Sequence, residues 1–316
     1  MLTTLLRPFR TGGAVLCFHS VTTPALPADG VSHVPVDTFT SLVTAARLFG
    51  EIVPLSELVR RHREGRNTSG MIAITFDDAY AALRTELSDV ISRHAIPVTV
   101  FVVASAAATG AKYWWDRVDD SFPRVAPDRW RSFETACGLT DEYRRGQPPE
   151  YGPLRPLRQF LLATYAGRWP DHLDAALDAL EQDAGHRTLH RSMTFDELSA
   201  FAAQPWVELG VHTVSHPVLP LLPDHELAHE IAAAYDALRE RFAAVVPILA
   251  VPFGLYDERT IRTAGAAGMI ASLTLAAAPF DSRTSRDAIP RFCVSTADTG
   301  LAAGSVEISQ VPGQSP

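Results

Sequence analysis

The sequence predicts an α/β protein built as a distorted (β/α)7-type barrel with a mostly helical insertion. Three observations lead there. Short apolar runs alternate with helical patterns about seven times, which argues for a parallel sheet covered by helices. No glycine-rich dinucleotide fingerprint follows the first apolar run, so a barrel fits better than an open sheet. The alternation breaks once, over about residues 109–190, where Trp, Arg and Pro accumulate. We read residues 1–316 as one domain with 109–190 as an insertion within it.

The elements follow in order. Ala14–Phe18 (AVLCF) is a buried strand. Phe39–Phe49 places Phe39, Leu42, Val43, Ala46 and Phe49 at helical spacing, with Asp37 the expected N-cap. Glu51–Leu55 is a short strand, and Ser56 is expected to cap a helix running to about His62. Met71–Phe76 is a strand, Tyr80–His94 a helix, and Pro97–Ala104 a strand rich in β-branched residues. Within the insertion, helices are expected near 155–166 and 171–183. Regularity resumes at Thr194–Ala203, where Thr194 and Glu197 form a capping-box pattern. Strands then fall at Val207–Val211, Ile248–Val251 and Met269–Leu275, with a last one at Phe292–Ser295. Helices fall at Asp224–Phe242 and Glu258–Ala267. The Gly/Ser/Pro-rich tail after Leu301 is expected to be loose.

Composition narrows the function. The chain has 316 residues, 47% of them hydrophobic, and a formal net charge of −8. An acidic chain with no Lys/Arg run excludes nucleic acid as the expected partner, because phosphate neutralisation needs clustered cations. Cys17, Cys137 and Cys293 are far apart and odd in number, which suggests neither a disulfide framework nor a zinc ribbon. The N-terminal run is too short and interrupted for a signal peptide, and no run approaches the roughly 20 apolar residues of a spanning helix. We expect a soluble cytoplasmic protein. Leu5, Leu6 and Phe9 beside Arg7 and Arg10 are the one weak hint of a membrane-surface contact.

The chemistry-bearing residues recur at one place, the end of a strand. His19 ends AVLCF, Asp77 and Asp78 end MIAITF, His212 ends VELGV, and Pro252-Phe253-Gly254 ends ILAV. In α/β barrels these ends converge on the active rim. Adjacent carboxylates repel unless a cation lies between them, so the Asp77-Asp78 pair suits a metal site. The competing reading makes Asp78 the N-cap of the next helix. His212 and His216 can reach one ion from a tightly turned loop, and Pro217 biases His216 away from the helical region. Asp78, His212 and His216 would leave coordination positions open, as a catalytic zinc site does. His19 reads equally as a core histidine, and Pro252-Phe253-Gly254 equally as a plain turn. Trp114 and Trp115 suit sugar stacking or anchorage of the insertion.

These residues resemble the polysaccharide deacetylases of carbohydrate esterase family 4, the NodB-homology domain, over about residues 13–296. Thr75-Phe76-Asp77-Asp78 looks like the family's first motif, which implies Asp77 as general base and Asp78 as metal ligand. His212-Thr213-Val214-Ser215-His216-Pro217 looks like the second, implying two histidine ligands. Pro252-Phe253-Gly254-Leu255-Tyr256 looks like the third, and Leu16-Cys17-Phe18-His19-Ser20-Val21 is similar to the opening of a subgroup acting on surface glycans. Two features depart from the pattern. The arginine expected to pair with the base is Ala250 here, with Arg291 a candidate replacement from another strand. The late histidine that acts as general acid is missing, since no histidine follows Arg291; His19 is the first choice in its place, and a metal-bound water the alternative.

The leading reading is therefore a metal-dependent hydrolase removing the N-acetyl group of an amino sugar or glycan precursor. The cofactor would be a divalent metal, Zn2+ first, with Co2+, Ni2+ or Mn2+ as alternatives. Pro252, Phe253, Gly254, Tyr256, Trp114 and Trp115 are the candidate substrate or oxyanion contacts. A cytoplasmic setting favours a nucleotide-linked, lipid-linked or small soluble sugar. The rivals are a deformylase or amidase on another small N-acyl substrate, and a catalytically silent glycan-binding barrel.

Overall fold

The computed structural model describes residues 12–25, 32–145, 155–185, 190–243 and 245–294. The Leu5–Arg10 segment, Ser295 and the tail after Leu301 lie outside them. The strands are β1 (Ala14–Phe18), β2 (Ser20–Thr22), β3 (His33–Pro35), β4 (Glu51–Ile52), β5 (Met71–Phe76) and β6 (Val98–Val102). Then come β7 (Val207–Val211), β8 (Val245–Ala250), β9 (Ala271–Leu273), β10 (Ala288–Ile289) and β11 (Phe292–Cys293).

One parallel sheet runs in the order β10-β9-β8-β7-β6-β5-β1-β11, with β4 added against β5. Its two edges are formed by one extended segment. β10 pairs β9 at Ile289↔Leu273, and β11 pairs β1 at Cys17↔Cys293. Pro290 lacks an N–H for a ladder and Arg291 follows it, so the segment changes partner at this point. Seven wall positions result, as the repeated units predict. The small β2–β3 pair lies outside the wall.

Alternation along each strand divides the apolar residues into two layers. Val15, Ala73, Phe101, Ala250, Leu273 and Ile289 fill the inside. Leu16, Phe18, Ile74, Phe76, Val100 and Leu249 belong to the outer layer packed with the helices. Burial on both faces is why these strands read as continuous apolar runs. Gly210 is required by the inner layer, because a Cβ there would sit 2.4 Å from the Phe101 ring.

Several predicted boundaries shift. The first helix is Val36–Ala46 with Pro35 before it, and Asp37 lies inside its first turn instead of capping it. Ser56 likewise falls inside the helix Leu55–Arg63, which Pro54 precedes. In both cases proline, with φ already set, starts the helix without a side-chain cap. The helix after β5 widens into a π-turn at Leu83–Leu87 before continuing as Ser88–Arg93. β8 starts at Val245, earlier than the apolar run that marked it. The capping box of Thr194 and Glu197 forms as predicted.

Between β6 and β7 the chain includes helices Trp114–Ser121, Pro127–Ala136, Asp141–Arg145, Arg155–Tyr165 and Asp174–Ala184. Trp114, Val118, Trp130, Phe133, Leu161 and Leu177 are among the residues of an apolar cluster of their own there. Among the described residues, no helix is long and apolar enough to cross a membrane.

Candidate metal centre and active site

The rim residues are placed by strand alternation. Asp77 continues the inward series of Ala73 and Thr75, and His212 continues from Gly210. Each ladder extends into the site, Asp77 N–H donating to Phe18 O at 2.9 Å and His212 N–H to Val102 O at 3.0 Å. The backbone then turns sharply. Asp78, Ala79, Thr213, His216 and Phe253 all have positive φ, between 50° and 68°. Non-glycine residues held this way cost about 1–3 kcal/mol each and cluster at functional sites. His216 at φ 59° lies outside the right-handed helical region, from which Pro217 biases it. A hydrogen bond from His216 N–H to Thr213 Oγ1 at 3.0 Å closes that turn.

Three donor atoms meet there. His212 Nε2 and His216 Nε2 are 3.1 Å apart, and each is 3.6 Å from Asp78 Oδ1. A tetrahedral ion with ligand bonds of about 2.0–2.1 Å sets its donors roughly 3.3 Å apart, so the triangle fits a first-row cation. Polar satisfaction agrees. Asp78 Oδ1 is buried with no hydrogen-bond partner. His212 Nδ1–H donates to Ala250 O at 2.8 Å, which fixes the tautomer and turns the Nε2 lone pair toward the triangle. Burial pushes His212 down to about 4, with Asp77 and the Ala250 carbonyl opposing, and lowers His216 as well. Both imidazoles are thus neutral near pH 7, as ligation requires. Burial, opposed by His19 and reinforced by the Asp77 charge, raises Asp78 to about 7. This is the carboxylate strain that a cation would relieve.

Asp77 is treated differently. Arg291 donates from Nη1 to Asp77 Oδ1 at 2.7 Å and from Nη2 to Oδ2 at 2.8 Å, a two-pronged pair. Burial alone would raise the Asp77 carboxyl, but the Arg291 charge, followed by His212, outweighs it and holds Asp77 below the usual carboxylate range. Two adjacent aspartates thus differ, one locked as an anion by arginine and the other left for a cation. Arg291 Nη1 also reaches Thr75 Oγ1 at 3.3 Å, and Arg291 itself is fully buried.

The remaining predicted residues are distributed unevenly. His19 stands beside Cys17 and Cys293. Burial would lower its pKa, but Cys293, Asp78 and Asp77 together raise it to about 9, so the ring is protonated at neutral pH. The Phe253 ring packs on His216 with centroids 4.5 Å apart. Gly254 adopts φ +70°, and a Cβ there would meet Leu275 at 2.7 Å. Its N–H is committed to Val251 O at 3.0 Å. Tyr256 is 43% exposed. The tryptophan pair splits. Trp115 packs on His216 at 4.9 Å and donates to Tyr80 OH at 3.1 Å. Trp114 is buried in the apolar cluster of the helices between β6 and β7, donating to Gly167 O at 3.2 Å.

Sequence reasoning missed the residues that hold the loops. Glu230 accepts from Val214 N–H at 2.9 Å and Ser215 N–H at 2.8 Å, fixing the loop between the two histidines. Its signal was available, as a charged residue within the buried stripe Leu227, Ile231 and Ala234 of the helix Asp224–Arg239. Tyr113 donates its OH to Asp78 O at 2.7 Å, and Tyr80 OH donates to Asp116 at 2.5 Å. These two contacts join separate chain segments and leave no local pattern.

The polysaccharide deacetylase family model matches residues 64–128 and 158–271, more than half of the chain. This chain belongs to the polysaccharide deacetylase family. The matched stretches contain Asp77, Asp78, His212, His216 and the Pro252-Phe253-Gly254 turn. Solved structures with the same fold include IcaB from Ammonifex degensii, 16% identical, with a TM-score of 0.58 and coverage of 92% of this chain and 94% of that one. A Streptococcus pyogenes deacetylase, PplD, in complex with acetate, is 12% identical with a TM-score of 0.57, covering 90% of this chain and 92% of that one. The BpsB deacetylase domain from Bordetella bronchiseptica is 16% identical with a TM-score of 0.54, covering 90% and 96%. No curated protein matches by sequence. Membership in this family makes hydrolysis of an amide-linked acetyl group on a glycan the class of chemistry, and the curled parallel sheet is the deacetylase fold.

Proposed function

We propose that this chain removes the N-acetyl group from an amino sugar in a glycan or glycan precursor, using a divalent metal held by Asp78, His212 and His216. The observation that carries the reading is the Arg291-clamped Asp77 carboxylate, whose Oδ2 lies 3.9 Å from His212 Nε2, against the three-donor triangle. Zn2+ suits two imidazoles and one carboxylate, with Co2+, Ni2+ and Mn2+ as alternatives. The ion would supply Lewis acidity, activating water and polarising the amide carbonyl.

The chain's own residues do the rest. Asp77, kept ionised by Arg291, accepts the proton of the attacking water. Arg291 also fixes the carboxylate in one orientation, so no reorganisation is needed during proton transfer. The turn at Phe253 presents its backbone N–H to the acyl oxygen as negative charge develops there. His19 donates its ring proton to the departing amine. Trp115 and Phe253 wall His216, and Tyr256 offers an accessible ring for a sugar face. We place Trp114 outside substrate contact. A cytoplasmic location and a nucleotide-linked, lipid-linked or small soluble acceptor remain part of this reading.

A silent glycan-binding barrel is disfavoured by the buried Arg291–Asp77 pair, because desolvating two charges is expensive and binding alone gives no reason for it. The test is acetate release from N-acetylated oligosaccharides by zinc-loaded protein, with N-formyl analogues in parallel. Acetate without formate is the expected result. Formate alone would favour the deformylase reading, and bound metal with release from no N-acyl sugar would favour the binder.

A further inference from the structure

The second feature at the rim is sulfur. Cys17 on β1 and Cys293 on β11 are directly opposed in register, and His19 follows Cys17 by two residues, on the same side of the chain. The donor atoms of Cys17, His19 and Cys293 lie within 4.8 Å of one another. The cysteines, 276 positions apart in sequence, become neighbours only because the last strand segment forms both edges of the sheet. His19 Nδ1 is buried without a hydrogen-bond partner.

We propose that Cys17, His19 and Cys293 form a second cation site, for a thiophilic divalent ion such as Zn2+ or Cd2+, separate from Asp78, His212 and His216. Two sulfurs and one imidazole are the soft donor set such ions select. Tetrahedral zinc with Zn–S near 2.3 Å separates its sulfurs by roughly 3.8 Å, so the three donors need close by only about 1 Å. The Cys293 thiol is held well below its usual range, by Cys17 first and then by His19 and Arg291 against burial, which favours the thiolate that ligation requires. On binding, the Cys17 thiol, which donates to Asp77 Oδ2 at 3.5 Å, and the protonated His19 ring each give up a proton to solvent.

The site adjoins the reaction centre. An ion there occupies His19 and lies beside Asp77, so excess Zn2+ or Cd2+ inhibits. This consequence rests on His19 as the proton donor of the proposed reaction; the existence of the site does not.

The test uses the full chain, reduced, loaded with one equivalent of Zn2+, and titrated with Cd2+ alone. The ultraviolet thiolate-to-Cd2+ charge-transfer band should saturate at one equivalent. It should persist in Asp78→Ala and in Cys137→Ser, whose cysteine is buried in the insertion's cluster. Cys293→Ser, and independently Cys17→Ser, should weaken the band-forming affinity by more than about 100-fold, beyond the roughly 10–100-fold cost of outer-shell changes. No band in the wild-type chain, or a band of wild-type affinity in folded Cys293→Ser, overturns the site. The same Cd2+ should stop acetate release by the wild-type chain and spare Cys293→Ser. A band without inhibition leaves the site standing and overturns the role of His19.

Discussion

Arg291 and Asp77 form a two-pronged ion pair from opposite parts of the chain, at 2.7 Å and 2.8 Å, with the arginine fully buried. The arginine comes from the segment that joins β10 to β11, so the closure of the sheet positions the proposed general base. Removing one partner of a buried pair leaves an uncompensated charge. Arg291→Met should destabilise the protein by about 3–5 kcal/mol, read as a shift of the urea midpoint. Arg291→Lys keeps the charge but loses the planar fork and should lower kcat by at least about tenfold, or about 1.4 kcal/mol. A lysine variant with wild-type kcat would show that orientation of Asp77 is unimportant.

Glu230 connects the fold to the histidine loop. Besides the two backbone N–H groups, it accepts from Ser215 Oγ at 2.6 Å. Glu230→Ala should lower zinc affinity by about 10–100-fold, measured by competition with a chromophoric chelator. An unchanged affinity would mean that the turn at Thr213 and His216 holds itself.

The inside of the barrel tolerates no added atom at Gly210. Gly210→Ala should cost about 1–3 kcal/mol and lower the melting midpoint by at least about 2 °C. Trimming the opposing ring with Phe101→Leu in the same chain should recover part of the loss, because contacting residues couple. Additive losses in the double variant would argue against the contact.

What the sequence disclosed follows from how local each signal is. Strand ends carrying Asp77, Asp78 and His212 were legible because the apolar runs before them are continuous and parallel strands align their C-terminal ends. The helix starts at Pro35 and Pro54 carry no side-chain cap, because proline already sets φ there, and so lack the signal that Asp37 and Ser56 mimic. The opposition of Cys17 and Cys293 was illegible, because register between first and last strands is a property of the sheet as a whole. Glu230 stood between these extremes, detectable as a charge in an apolar stripe once its helix was recognised.

Acid sensitivity should appear at Glu197. Hydrogen bonds from Arg191 pull its carboxyl down to about 2, with burial opposing and the Thr194 N–H assisting. The folded value is below the unfolded one, so the stability it contributes is present above about 4.5 and is lost as pH falls toward 2. Glu197→Gln, which can keep the capping box but loses the charge facing Arg191, should cost up to about 1 kcal/mol at pH 7. The gap between the two chains should narrow across that acid window in urea titrations. A constant gap from pH 7 to pH 2 would contradict the linkage.

The most direct test is acetate release by wild-type protein and Asp77→Asn, each carrying a verified single equivalent of zinc. The substitution removes the proton acceptor while leaving Asp78, His212 and His216 to hold the ion. The account predicts that Asp77→Asn keeps its metal and loses at least about 100-fold in kcat. Zinc-loaded Asp77→Asn releasing acetate at the wild-type rate would contradict it.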